Sequence, residues 1–239
     1  MFGLANPRKF MSFSAIVLPW AIALNLALFA TGLWWSLMVA PLDYQQGETV
    51  RIMYIHVPNA TMSMAVYTFM AIASVVSLIW RHSLADVAAK VAAPIGAVFT
   101  VLALVTGSLW GKPMWGTWWE WDARMTSVLV LFFMYLGYMA LWTMIEDPVK
   151  AARAAAILAI VGFINIPIIK FSVDWWNTLH QSASLIRADG PAIHSSMLIP
   201  LLIMMAAFGL LFLVLELASM RAEINRQHIR AIQLAQAEG

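Results

Sequence analysis

The sequence predicts an all-α, polytopic membrane protein with six transmembrane helices, both termini in the cytoplasm and short interfacial helices in the outer loops. Three observations lead there. Of 239 residues, 62% are hydrophobic and only 11% charged, with a mean hydropathy of +0.80. The charges are segregated into short stretches between long apolar runs. Six of those runs suit a bilayer crossing, which takes about 20 residues at about 1.5 Å each. The hydrocarbon offers no water to exposed backbone groups, so helices are the only spanning structure open to such continuous runs.

The runs are 15–40, 59–80, 93–110, 126–145, 154–169 and 196–219, in a single membrane domain covering 1–239. The chain starts MFGLANPRKF, basic and then apolar, as a signal peptide would. The apolar stretch nevertheless continues from Ala15 to Ala40, too long for a signal core, and reads as a retained first span. Pro58 and Asn59 suit the start of the second span. The fifth run is short; it recruits Ala151 and Ala152, with Lys170 snorkelling at its far end. Pro19, Pro167 and Pro200 bend or start their helices. The only charged side chain in any run is Glu216, late in the sixth. No internal repeat or linker divides the chain, and the tail from Arg221 reads as an amphipathic helix.

Orientation follows from the distribution of Lys and Arg. Nine fall in the N-terminus, loops 81–92 and 146–153, and the tail: Arg8, Lys9, Arg81, Lys90, Lys150, Arg153, Arg221, Arg226 and Arg230. The other three loops hold five: Arg51, Lys112, Arg124, Lys170 and Arg187. The excess places both termini in the cytoplasm. The outer loops are the longer ones and carry the unusual residues.

The most unusual is Trp110 to Arg124, WGKPMWGTWWEWDAR, which holds five of the chain's twelve Trp. It reads as a loop or short interfacial helix at the membrane surface. Trp favours that depth, being apolar with one polar N–H. Five so close together exceed an anchoring belt and make a broad aromatic surface for a large flat apolar ligand. The first outer loop ends at His56 and Pro58. The third, from Lys170, contains Trp175, Trp176, His180 and His194, with a short interfacial helix expected from Val173 to Leu185.

Composition excludes several chemistries. With no cysteine there is no disulfide, no thiolate metal site and no covalent haem motif. A net charge of +2 is an orientation signal, not a nucleic-acid footprint. An ion-coupled transporter needs ionisable residues within its spans, which are lacking here apart from Glu216. No nucleophile–base set, P-loop or paired carboxylate stands out, so the chain hydrolyses no nucleotide by itself.

His82 and His228 fall on the cytoplasmic side and read as ordinary polar residues. His56 and His180 lie in separate outer loops at the depth of the Trp cluster. A flat apolar ligand wanting two axial nitrogens is haem. Zinc, with a further ligand from His194 or Asp189, stays open at this point, as does a structural role. Arg51, Lys112 and Arg124 share that face and could meet propionates by matched forks, or pair with Asp43, Glu120 and Asp122. A docking subunit that uses its Trp-rich loop to bind a protein and no cofactor is the other reading.

WGTWWEWDAR resembles the tryptophan-rich signature of haem-handling proteins in bacterial cytochrome c biogenesis, the WWD superfamily. PLDYQQG at 41–47, RIMYIHVP at 51–58, APIGAVFT at 93–100, TGSLWGKPMWGTWWEWDAR at 106–124 and SVDWWNTLHQ at 172–181 resemble the pattern of one family in it. That family is cytochrome c maturation protein C (CcmC), also called haem exporter protein C. The resemblance implies that haem b lies at the periplasmic surface of the inner membrane against the Trp-rich segment. His56 and His180 are then its axial ligands. Trp115, Trp118, Trp119, Trp121 and Asp122 form or order the shelf, and Arg51 and Arg124 neutralise propionates. It also implies presentation to a periplasmic haem chaperone for covalent attachment, as platform or as synthetase. The implied company is a second membrane subunit, a small one-span subunit and an ATP-binding cassette subunit, with membrane lipid around and no nucleic acid.

Overall fold

A computed structural model describes residues 6–180 and 190–237 of the chain. Among the described residues six helical segments are long and apolar enough to cross a membrane, and the chain is a multi-pass membrane protein. The helices are α1 (Pro7–Trp34), α2 (Met53–Trp80), α3 (Ser83–Trp115), α4 (Ala123–Met144), α5 (Pro148–Gly162), α6 (Asn165–Trp175) and α7 (Ser195–Ala237). A π-helical turn, Trp35–Val39, prolongs α1, and a 3-10 turn, Glu48–Ile52, leads into α2.

Local chemistry fixes several ends. Asn6 accepts the Arg8 N–H at 2.9 Å with Pro7 at the first helical position, and Asp147 does the same for Val149 beside Pro148. Gly116 ends α3 with φ +78°, a left-handed conformation that glycine adopts at no steric cost. The fifth span is two helices, because Pro167 has no N–H to give and its ring crowds the carbonyl of Phe163, where the chain breaks.

The helices outrun the apolar spans. α2 begins at Met53, so His56 and Pro58 lie inside it, where proline's missing N–H costs only one bond in the second turn. Trp110 to Trp115 are the last turns of α3, so only 116–122 of the Trp-rich segment is non-helical. Beyond Trp175 the chain is non-helical to His180, and residues 181–185 of the interfacial helix expected there lie outside the described residues. At about 1.5 Å per residue α7 is about 64 Å long, roughly twice the hydrocarbon thickness, so its exposed last turns leave the membrane.

The centre is α2 packed along α3. One face of α3 is a stripe of small residues: Ala89, Ala92, Ala93, Gly96, Ala97, Thr100 and Ala103, all buried. Small side chains let helix backbones approach where lipid gives no hydrophobic drive. Tyr135 of α4 fills the space over Gly96 and donates its hydroxyl to the Ser63 carbonyl at 2.7 Å, with Tyr67 edge-on at 5.1 Å. α1 lies outermost along α7, tied by a buried bond from Asn25 Nδ2 to the Ala207 carbonyl at 2.7 Å. This arrangement gives the bundle two different ends. One gathers the start of α1, the start of α3 and the outer part of α7. The other gathers the starts of α2 and α7 with the end of α3, and it holds the candidate site.

Candidate functional site

The small-residue stripe of α3 continues past Ala103 to Gly107 and Gly111, which floor a cavity of about 750 Å³. A Cβ on Gly107 would sit 3.0 Å from His56 Cε1, and one on Gly111 3.0 Å from Trp115 Cε3. Only glycine lets both rings lie this close to the helix. His56, His180, Trp110, Trp115, Arg124 and His194 all line this cavity. A smaller groove of about 370 Å³, lined by Ala71, Val75, Trp80, Ile160 and Phe163 among others, is wholly apolar and offers no reactive group.

His56 is held by α3. Its Nδ1 lies 3.1 Å from the Ala103 carbonyl and 3.1 Å from Thr106 Oγ1. Thr106 spends its own proton on the Leu102 carbonyl at 2.6 Å. Both neighbours therefore accept, Nδ1 donates, and the neutral ring keeps its lone pair on Nε2. Trp110 packs edge-on against the ring at 5.7 Å and is anchored by its Nε1–H on Gln46 Oε1 at 2.9 Å.

His180 is held by Asp122. Its Nδ1 donates to Asp122 Oδ2 at 3.1 Å, while Asp122 Oδ1 accepts the Met125 N–H at 2.7 Å and caps α4. One buried carboxylate thus fixes both a helix start and an imidazole. Burial pushes the His180 pKa below its ordinary 6.5, and the pull of Asp122 in the other direction does not outweigh it. The ring is neutral at pH 7, and Nε2 again carries the lone pair. A carboxylate behind an imidazole is how a metal-binding histidine is oriented. Trp115 packs against this ring at 4.9 Å.

Of the cations, Arg124 lines the cavity, with Nε on Ser172 Oγ and Nη2 on the Lys170 carbonyl, each at 3.3 Å. Arg51 is not in the lining; it pairs with Glu48 at 2.5 Å and donates to the Ser36 carbonyl at 2.9 Å. Lys112 donates to the Gly116 carbonyl at 2.9 Å and sits 5.8 Å over the Trp118 ring. Trp118, Trp119 and Trp121 are likewise absent from the lining. They lie in the non-helical stretch between α3 and α4, Trp118 and Trp121 exposed, with Trp119 edge-on to Trp121 at 5.4 Å. The Nε1–H of Trp119 is buried with no partner among the described residues.

Among the described residues no group of three or more His, Cys, Asp or Glu converges to hold a metal ion. Asp189, the carboxylate that a zinc site would draw on, lies outside them. What converges is a pair of imidazoles facing one aromatic-walled space. Sequence reading did not find Trp110 and Gly107 beside His56, or Asp122 behind His180. The signal for the first was the four-residue spacing of Gly107 and Gly111, one turn of a helix.

The family model described as Heme exporter protein C matches residues 1–235. The chain belongs to the haem exporter protein C family. A relative from Bradyrhizobium diazoefficiens with that name is 64% identical over 234 residues, covering 98% of this chain and 89% of its own. The Paracoccus denitrificans relative is 48% identical over 229 residues, covering 95% of each chain. The one from Escherichia coli K12 is 47% identical over 219 residues, covering 91% of this chain and 87% of its own.

Proposed function

We propose that this chain binds haem b as cargo in the cavity, on the periplasmic side of the inner membrane, and presents it to a periplasmic haem chaperone for covalent attachment in c-type cytochrome maturation. One observation carries the reading. Two imidazoles line one aromatic-walled cavity, each with Nδ1 committed to an acceptor and Nε2 without a hydrogen bond among the described residues. The name shared by the relatives, Heme exporter protein C, supports haem as the cargo. Haem supplies an iron that takes two axial nitrogens and a flat ring that lies well against aromatic walls.

His56 and His180 are the axial ligands. The Ala103 carbonyl and Thr106 hold the first ring, and Asp122 holds the second. Gly107 and Gly111 let the His56 and Trp115 rings seat close against α3. Trp115 forms a wall, and Trp118, Trp119 and Trp121 extend the shelf at its rim. Arg124 neutralises a propionate; Arg51 serves a second only by giving up Glu48. The lower density of Lys and Arg at this end supports its facing the periplasm. The cavity opens at the surface, so a bound cargo keeps an accessible edge for handover. A second membrane subunit, a one-span subunit and an ATP-binding cassette subunit complete the proposed complex.

The test is co-production with the chaperone. The chain should purify red, and the chaperone should acquire haem that survives denaturing electrophoresis. His56→Ala and His180→Ala chains, made at normal levels, should abolish both. A colourless chain that still binds the chaperone would favour the docking-subunit reading, for which the exposure of Trp118 and Trp121 outside the cavity lining speaks.

A further inference from the structure

A third histidine lines the same cavity, and its hydrogen bonding is the reverse of the other two. His194 stands immediately before α7, where its carbonyl accepts the N–H groups of Met197 at 3.0 Å and Leu198 at 2.9 Å. Its ring is held as well: Nδ1 lies 3.3 Å from the backbone N–H of Ser196 and 2.9 Å from Ser196 Oγ. A backbone N–H can only donate, so here Nδ1 is the acceptor and the neutral ring carries its proton on Nε2. His56 and His180 each offer a lone pair at Nε2. His194 offers an N–H, which makes no hydrogen bond among the described residues.

We propose that His194 is a carboxylate-binding residue of the cavity, a neutral N–H donor that works with Arg124 to hold the acidic edge of a flat apolar cargo. This rests on the haem reading above, and there the carboxylates are the propionates. Four observations support it. The tautomer cannot present a lone pair to iron without breaking the bond from Ser196. The ring is exposed at the cavity rather than packed in the core, so it is not filling space. Arg124 has only Nε and Nη2 bonded, each at 3.3 Å, which leaves Nη1 without a bond among the described residues. Arg51, the other cation expected to meet a propionate, is already paired with Glu48 and the Ser36 carbonyl. His194 supplies the second donor that this pairing withholds.

The experiment is an equilibrium titration of the purified full chain with haem and with haem dimethyl ester, whose carboxylates are masked, for the native, His194→Ala and His194→Gln proteins. A hydrogen bond to a charged group at a wet site is worth about a factor of ten in affinity. His194→Ala should weaken haem binding about tenfold, leave the dimethyl ester unaffected, and keep the low-spin spectrum. His194→Gln, which retains a donor and an acceptor for Ser196, should recover most of the loss. Equal weakening for both cargoes, or none for either, overturns the assignment. Loss of the low-spin spectrum in His194→Ala would make it an iron ligand instead and also overturns it. If the native chain binds neither cargo, the haem reading itself fails; ester binding to the native chain separates the two failures.

Discussion

The two ends of the bundle are built from the same helices and spend their polar groups differently. At the end bearing the termini, charge is consumed. Lys90 meets Glu223 at 2.6 Å and covers the Trp142 ring at 4.7 Å, and Arg226 meets the same carboxylate at 2.9 Å. Arg221 closes onto the Met11 carbonyl and Ser14 of α1. At the other end, among the described residues, each imidazole uses one nitrogen and leaves the other unbonded, Arg124 is only partly engaged, and the helices leave a cavity between them. Glu216, deeper along α7 and buried without a partner among the described residues, belongs to neither pattern. Buried or half-buried polar groups are normally satisfied within a protein. Buried groups without a partner among the described residues occur at both ends, His82 Nδ1 and Trp142 Nε1 at one and Trp119 Nε1 at the other; what sets the second end apart is a cavity lined by imidazoles and a cation.

The comparison can be broken most forcefully at its two capping aspartates. Asp122→Ala and Asp147→Ala each remove a helix cap worth about 1 kcal/mol. Of the two, only Asp122 also holds an imidazole, so on the proposed ligation its loss should weaken haem binding about 10- to 100-fold, the usual cost of removing a carboxylate behind a metal-binding histidine. Asp147→Ala should leave haem affinity unchanged. Equal effects of the two on a haem titration would deny Asp122 its second role.

Glycines give the next contrast. Gly107→Ala should push the His56 ring off its position and lower the low-spin fraction, because the new methyl would lie 3.0 Å from Cε1. At Gly209, in α7, nothing lies within 4 Å of where a methyl would sit, and Gly209→Ala should leave the spectrum untouched. An unshifted spectrum in Gly107→Ala would show that the floor does not position the ligand.

A smaller effect is expected from pH. The His180 pKa lies below 6.5 in the folded chain, so the unfolded chain binds the extra proton first. The stabilising contribution is present above the unfolded value and is lost as pH falls through the folded one. The neutral ligand form follows the same course. A spectral titration should show low-spin haem intact at pH 7 and lost only below 6.5; loss beginning above 7 would contradict the direction of the shift. Smallest of all, Lys90→Ala at the closed end should cost about 1 kcal/mol in stability, as ordinary partly exposed ion pairs do. It should leave the haem spectrum unchanged; a spectral change would mean that the two ends are coupled.

These contrasts follow the boundary between what the sequence displays and what it conceals. The six spans are legible because lipid selects continuous apolar runs. The outer histidines and the Trp-rich stretch stand out as candidates because such residues are scarce in so apolar a chain. The helix limits are not legible: hydropathy marks where the hydrocarbon lies, and α2 and α3 continue beyond it through His56 and Trp115. Pairings across the bundle are hidden as well. Asp122 and His180 are 58 residues apart, and His56 and Ala103 47, so no local spacing reveals either. The Trp-rich segment reads as one aromatic surface, whereas the structure divides it between a helical part on the cavity and a looped part at its side. That division depends on the turn at Gly116, which composition does not show.

Bis-imidazole ligation is tested most directly by the visible spectrum of the purified chain loaded with haem, for the native, His56→Ala and His180→Ala proteins, with and without added imidazole. Ligation by both rings predicts a six-coordinate low-spin spectrum in the native chain, its loss in each variant, and its return when imidazole fills the vacated position. An unchanged low-spin spectrum in both variants would mean that the iron is held elsewhere and that the two imidazoles have another purpose.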